Sequence, residues 1–165
     1  MRDRVLAACA FAILLTAYIW YAVPQEIQTY YRVTVCSGAG DILRDEAWVE
    51  LAGKRVNNLT GSPSFSGTLR VIAGSDTARH QVSTPMLASP WWARLRADGG
   101  ILLVSTSVQD GIVHTIALVD LDRGWETIRA SLSAVGGLVG PVTLEGSRVS
   151  AKEAEVFRDP YSYRR

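Results

Sequence analysis

Apolar residues run without a charge from Val5 to Val23 and form the longest hydrophobic pattern in the chain. A helix of about 20 apolar residues, at about 1.5 Å each, is needed to cross a hydrocarbon core of about 30 Å. The block just reaches that length. The pattern therefore predicts one transmembrane helix over residues 5–24, retained as a signal-anchor.

The residues that flank this block predict its orientation. Arg2 and Arg4 precede it, and positive charges tend to stay on the cytoplasmic side of a membrane. Aromatic side chains, which prefer the membrane–water interface, lie at the C-terminal end of the block. We assign three of them as membrane-interface residues: Tyr18, Trp20 and Tyr21. Residues 1–4 are then cytoplasmic, and the C-terminal domain lies outside the inner or plasma membrane.

Three alternatives compete with a retained anchor. A signal-peptidase site needs small residues, whereas bulky aromatic residues end this block. The tetrapeptide Leu6-Ala7-Ala8-Cys9 resembles a bacterial lipobox, but the apolar segment follows the cysteine instead of preceding it. A buried core helix of a soluble protein is disfavoured by the uninterrupted apolarity and the terminal position.

Beyond the block, apolar and polar residues alternate with the period of two that half-buried strands show. Asp110-Gly111 between two β-branched runs is a strong hairpin signal. Pro141 favours an edge position for the segment around it. The predicted strands lie at 31–35, 47–51, 65–72, 79–83, 92–96, 101–108, 112–119 and 138–144.

One helix is predicted after Asp122, whose side chain can cap it. Trp125, Ile128 and Leu132 recur at helical spacing, and Gly136-Gly137 ends the pattern. Residues 150–157 fit either a helix or a strand.

These elements predict a mainly β fold: an antiparallel sheet or sandwich, or an α+β arrangement with one packed helix, preceded by the transmembrane helix. We place the β-rich domain at 25–158 and a tail at 159–165.

Charge and cysteine content exclude two classes of protein. The formal net charge is +1 with acids and bases interspersed, which argues against a nucleic-acid-binding protein. Two cysteines, Cys9 and Cys36, are too few for a disulfide framework. Cys36 is interpreted as a small buried hydrophobic residue, with an intermolecular bridge as the alternative.

The chain carries few groups for catalysis or for binding a cofactor. Cys36, His80 and His114 lack metal-ligand spacing, so we predict no metal site and no cofactor. A hydrolase that uses Cys36 or a serine with one of these histidines stays open, because spatial proximity is invisible in sequence. Asn58-Leu59-Thr60 is an N-glycosylation sequon that matters only in a eukaryotic secretory pathway.

Trp91 and Trp92 are the candidate residues for contact with a partner. Adjacent side chains of a strand point to opposite faces, so one of the two rings is available for contact unless both sheet faces are covered.

The segments "WVELAGK", "FSGTLRV" and "LLVSTSV…GIVHTIAL" together resemble short single-pass bacterial membrane proteins of unknown function. The resemblance implies an anchor inside the membrane and a β-rich domain outside it, and it brings no catalytic residue.

These observations predict a membrane-anchored, non-catalytic binding or scaffolding module at the cell envelope. Its partners would be the lipid bilayer and a protein at the membrane, and not a nucleic acid. The alternatives are the envelope hydrolase and an accessory subunit of a membrane complex that acts through its transmembrane helix.

Overall fold

A computed structural model of the chain describes residues 2–57, 63–74, 76–84, 100–109, 112–133, 135 and 140–158. In these residues the chain forms two helices and eight strands. In chain order they are α1 (Arg2–Ala22), β1 (Gln25–Ser37), β2 (Ile42–Val56), β3 (Ser64–Ala73), β4 (Asp76–Ser83), β5 (Ile101–Gln109), β6 (Ile112–Leu121), β7 (Thr127–Leu132), β8 (Val142–Val149) and α2 (Ala151–Arg158).

The eight strands form one closed antiparallel barrel in which each strand neighbours the next along the chain. β1 closes the barrel by pairing with β8, from Tyr30↔Val149 to Ser37↔Val142. The predicted hairpin forms, because β5 and β6 pair from Ile101↔Leu121 to Gln109↔Ile112. An even number of antiparallel strands places α1 and α2 at the same end of the barrel.

The predicted open sheet or β-sandwich is wrong, because the structure is a closed barrel. Alternation tells which side of a strand is buried but not whether the last strand meets the first. The inward side chains fill the barrel with one hydrophobic core. Its largest fully buried members are Tyr31, Val33, Val35, Val49, Leu51, Leu69, Val71, Val82, Leu103, Leu121, Leu132 and Leu144.

The predicted helix after Asp122 is also wrong, because these residues form a tight turn and then β7, Thr127–Leu132. Exposed and buried residues alternate strictly along β7, which is the period of a strand. Ile128 and Leu132 are four residues apart, and that spacing fits both a helical face and a strand face. A short helix occurs later instead, as α2.

The predicted single-pass transmembrane helix and signal-anchor are corrected as well. Among the described residues, none of the helices has the length and apolarity that crossing a membrane requires. The side chains of α1 are aliphatic, Cys or Phe without interruption only from Val5 to Leu15. That stretch is about 16 Å long at 1.5 Å per residue, roughly half of a hydrocarbon core.

The turn between β6 and β7 closes the end of the barrel from which α1 and α2 emerge. Trp125 lies in this turn, 6% exposed, with a backbone φ of 60°. Its carbonyl oxygen accepts a hydrogen bond from the Tyr31 hydroxyl at 3.1 Å. Its ring meets Phe65 edge-to-face at a centroid distance of 5.6 Å, and the Arg55 guanidinium lies 5.6 Å from its centroid. Side chains from three strands therefore fix this turn.

β2 and β3 approach each other closely where Gly53 is paired with Gly67. A Cβ atom on either glycine would overlap backbone atoms of the other strand and the ring of Phe65. The ring lies over the space that both missing side chains leave, which is a known way of stabilising glycine in a sheet. This close approach is possible only with glycine at both positions.

Candidate functional site: the seam between β4 and β5

The pairing between β4 and β5 is the weakest in the barrel. These strands share one residue pair, Ser83↔Val104. Continued antiparallel pairing would place His80 opposite Ser107 and Gln81 opposite Thr106, yet no pairing occurs there within the described strands. We call this gap the seam: β4 from Asp76 to Val82 and β5 from Ser105 to Gln109.

The inner wall of the seam is more polar than the rest of the barrel interior. On β4 the inward positions are Ala78, His80 and Val82, and on β5 Ser105 continues the inward row and is 4% exposed. The His80 Nε2 atom is buried and has no hydrogen-bond partner within the described residues. A buried polar atom without a partner is costly, so it marks a place where an added group would be stabilising.

The outer wall of the seam carries a positive charge. Arg79 is exposed and is paired directly with Arg70 of β3. Arg70 lies 3.7 Å from one carboxylate oxygen of Glu50, and the other oxygen accepts a hydrogen bond from the Gln28 side-chain amide at 2.6 Å. Within the described residues Arg79 makes no such ion pair. Within the described residues, the row of polar and charged side chains across β1–β4 therefore ends at the seam with a cation that has no carboxylate partner.

Burial lowers the pKa of the His80 imidazole below its usual value. The unfolded chain binds a proton on this group near pH 6.5, and the folded chain does so only at lower pH. The free energy of unfolding is therefore at its full value above about pH 6.5 and falls as the pH drops toward the folded-state pKa.

We expect His80→Gln to flatten the pH dependence of thermal stability between about pH 5 and pH 7, measured by circular dichroism. His114→Gln is the control, because His114 is exposed near the end of the β5–β6 hairpin. A pH profile of His80→Gln that matches that of the unaltered protein would contradict this assignment.

The geometry of the seam suits strand addition. Two strand edges that face a gap present backbone N–H and C=O groups in rows, and an extended segment can pair with such rows. β5 has no charged residue and no proline to discourage pairing. On β4, Arg79 adds an exposed positive charge to the edge, and His80 adds an inward-facing imidazole. The site therefore offers main-chain hydrogen bonds and two side-chain contacts.

The residues that the sequence assigns to the membrane interface lie on the last turns of α1. Tyr18 and Tyr21 are 49% and 42% exposed, and Trp20 belongs to the same helix. The candidate partner-contact residues Trp91 and Trp92 lie outside the described residues, as does the sequon at Asn58.

The structure does not bring Cys36 together with either histidine. Cys36 follows the inward-facing Val35 and so faces the outside of β1. His80 faces the interior from β4, and two strands lie between β1 and β4. His114 lies on β6, separated from β1 by β7 and β8. Cys36 therefore has no histidine base within hydrogen-bond reach.

Sequence reasoning missed the seam and the buried Ser105. Alternation along β5 predicted a strand, but it did not show that its far edge lacks a partner. The available signal was compositional: Arg79-His80-Gln81 is a polar run in a strand, and charged edges are typical where pairing is restricted.

The fold and the seam define the class: a closed, antiparallel eight-stranded β-barrel in which one pair of neighbouring strands, β4 and β5, shares a single residue pair within the described residues. Comparison with protein-family models, with curated proteins and with solved structures found no match to this chain. The resemblance to single-pass bacterial membrane proteins stays a prediction.

Proposed function

We propose that this protein is a non-catalytic binding module that captures an extended polypeptide segment as an added strand in the seam. The observation that carries the proposal is the single residue pair, Ser83↔Val104, between two neighbouring strands of the barrel, whereas each other pair of neighbouring strands shares at least five residue pairs. Exposed strand edges are usually protected, because an unpaired edge invites another strand. Strand addition needs no catalytic group, and main-chain hydrogen bonds supply the affinity.

The binding test uses the probe peptide acetyl-Thr-Gln-Thr-Gln-Thr-Gln-Thr-amide, which reads the same in both directions. We expect the full chain, in detergent, to show saturable changes in amide NMR signals at millimolar peptide. The changes should concentrate at 77–82 and 105–109, where backbone groups of the seam acquire partners. Changes spread evenly over the barrel would contradict strand addition.

A disulfide across the seam provides the matched control. In a Cys9→Ser, Cys36→Ser background, Gln81→Cys with Thr106→Cys would close the seam, because both side chains are exposed and would oppose each other in continued pairing. Thr68→Cys with Gln81→Cys places the same bond between β3 and β4, which already pair there. The first disulfide should abolish peptide binding and the second should preserve it. Equal binding by both proteins would refute the proposal.

We further propose that α1 attaches this module to a lipid bilayer. Apolar side chains are exposed on all sides of α1, with Phe11, Ile13 and Leu14 each at least 67% exposed. Such a surface is unstable in water and is stabilised by contact with lipid. Aromatic Tyr18 and Tyr21 suit the polar boundary of a bilayer. The site of action is then a membrane surface.

The attachment test is flotation with phosphatidylcholine vesicles. We expect the full chain to float with the vesicles and Phe11→Lys with Leu14→Lys to stay in the dense fraction. Val108→Lys with Ile112→Lys is the control, because these side chains are also more than 60% exposed but lie on the β5–β6 hairpin. Loss of flotation in the control, or its retention in the α1 variant, would contradict attachment through α1.

A further inference from the structure

The outer row of charged side chains across the barrel specifies one feature of the guest strand. Glu50 lies between Arg70 and Gln28, and its carboxylate oxygens are engaged by both. Arg79 is the next position of the row and borders the seam. Its guanidinium therefore faces either water or the side chain of whatever strand lies beside β4.

A strand paired with β4 has one residue directly opposite Arg79, on the same face of the sheet. Directly opposed side chains have Cβ atoms about 4.5–5.5 Å apart, within reach of an Arg–carboxylate contact. A cationic guest residue would be repelled by both Arg79 and Arg70, which are already opposed like charges. The outer face of the seam thus favours a carboxylate at this position and disfavours Lys and Arg.

The inner wall of the seam determines which guest residues are preferred directly before and after the acidic one. The two guest residues that flank the carboxylate residue point into the barrel. There the buried His80 Nε2 has no hydrogen-bond partner among the described residues. A hydroxyl group can donate to or accept from an imidazole nitrogen in either tautomer. Ser105, buried on the facing strand, adds a second polar group to the inner wall, two residues from the position opposite His80. An apolar guest residue would leave Nε2 without a partner.

We propose that the preferred guest is an extended segment of the pattern hydroxyl–acid–hydroxyl, with its Glu or Asp against Arg79 and a flanking Ser or Thr against His80. This inference rests on the proposed function, because it assigns the chemistry of the strand that the seam captures. It distinguishes an acidic, Ser/Thr-rich strand from a basic or purely apolar one.

The test compares three palindromic probe peptides on the full chain by the same NMR titration. They are acetyl-Thr-Gln-Thr-Glu-Thr-Gln-Thr-amide, its central Gln version, and a version with Val in place of every Thr. We expect the Glu peptide to bind about threefold tighter than the Gln peptide, a size typical of one cross-strand charge pair. The Val peptide should bind more weakly than the Glu peptide.

Two arginine variants show whether Arg79 is the residue that recognises the guest carboxylate. Arg79→Gln should remove the preference for Glu over Gln while it retains binding of the Gln peptide. Arg129→Gln is the control, because Arg129 is also an exposed outer arginine, paired with Glu145 on the distant β7–β8 wall at 2.7 Å. It should keep the preference.

His80 is tested separately with His80→Ala. Removal of the imidazole should reduce the difference between the Glu peptide and its Val version, because the group that needs the hydroxyl is gone. A difference that persists unchanged would overturn the assignment of the hydroxyl to His80.

The remaining outcomes separate this inference from the proposed function. Equal binding of the Glu and Gln peptides at the seam would overturn the assigned pattern and leave strand addition standing. If the Arg79→Gln variant still preferred the Glu peptide, the assigned pattern would also be overturned and strand addition would stand. Failure of all three peptides to perturb the seam would overturn both.

Discussion

Trp125→Ala is expected to lower the free energy of unfolding by about 3–5 kcal/mol. The indole is 6% exposed, packs edge-to-face on Phe65 and lies beneath the Arg55 guanidinium. Truncation would leave a cavity at the end of the barrel and remove both ring contacts. The measurement is chemical denaturation followed by far-UV circular dichroism.

Backbone conformation gives this prediction an internal control. Trp125 has φ of 60°, a left-handed conformation that costs a residue with a Cβ roughly 1 kcal/mol or more. Trp125→Gly removes that cost as well as the indole. The glycine variant should therefore be about 1 kcal/mol more stable than the alanine variant, although its side chain is smaller. A less stable glycine variant would show that the turn is not strained.

Gly67→Ala is expected to cost about 2–3 kcal/mol, because its methyl group has no space between β2 and β3. The new Cβ would overlap the Ala52 carbonyl oxygen and would lie 2.7 Å from the Gly53 Cα atom. Neither is the end of a flexible side chain, so the strands themselves have to separate. The loss exceeds the gain of about 0.4–1 kcal/mol that alanine usually brings by restricting the unfolded chain.

Gly124→Ala is the matched control in the same denaturation experiment. Its added Cβ would meet the Glu126 Cγ atom at 3.3 Å, which is part of an exposed side chain that can move. We expect a change within about 0.5 kcal/mol, as for most surface substitutions. If Gly67→Ala and Gly124→Ala were equally stable, the close approach of β2 and β3 would be disproved.

Sequence alone predicted the β character of the chain because alternation is a local property. The buried side of a strand can be identified from its own residues, as with Val33 and Val35 in β1 or Leu69 and Val71 in β3. Closure of the barrel is not local, because it depends on β1 meeting β8 more than 100 residues later. The turn at Trp125 was hidden for another reason: a four-residue spacing satisfies strand and helix periods alike.

The candidate site was unpredictable for a related reason. His80 stood out as one of two histidines, but its meaning depends on what lies beside β4. The sequences of β4 and β5 do not show that most of their residues are left unpaired with each other. The opposed pair Arg70 and Arg79 becomes visible only when the register is known.

The sequential order of the strands has a consequence for synthesis on the ribosome. β1 is made first, yet one of its two edges has to wait for β8, which ends at Val149. Until then the nascent chain exposes two uncovered edges, and such edges are prone to aggregation. Production of this protein should therefore be sensitive to ribosome stalling before β8, and to the supply of chaperones during that interval.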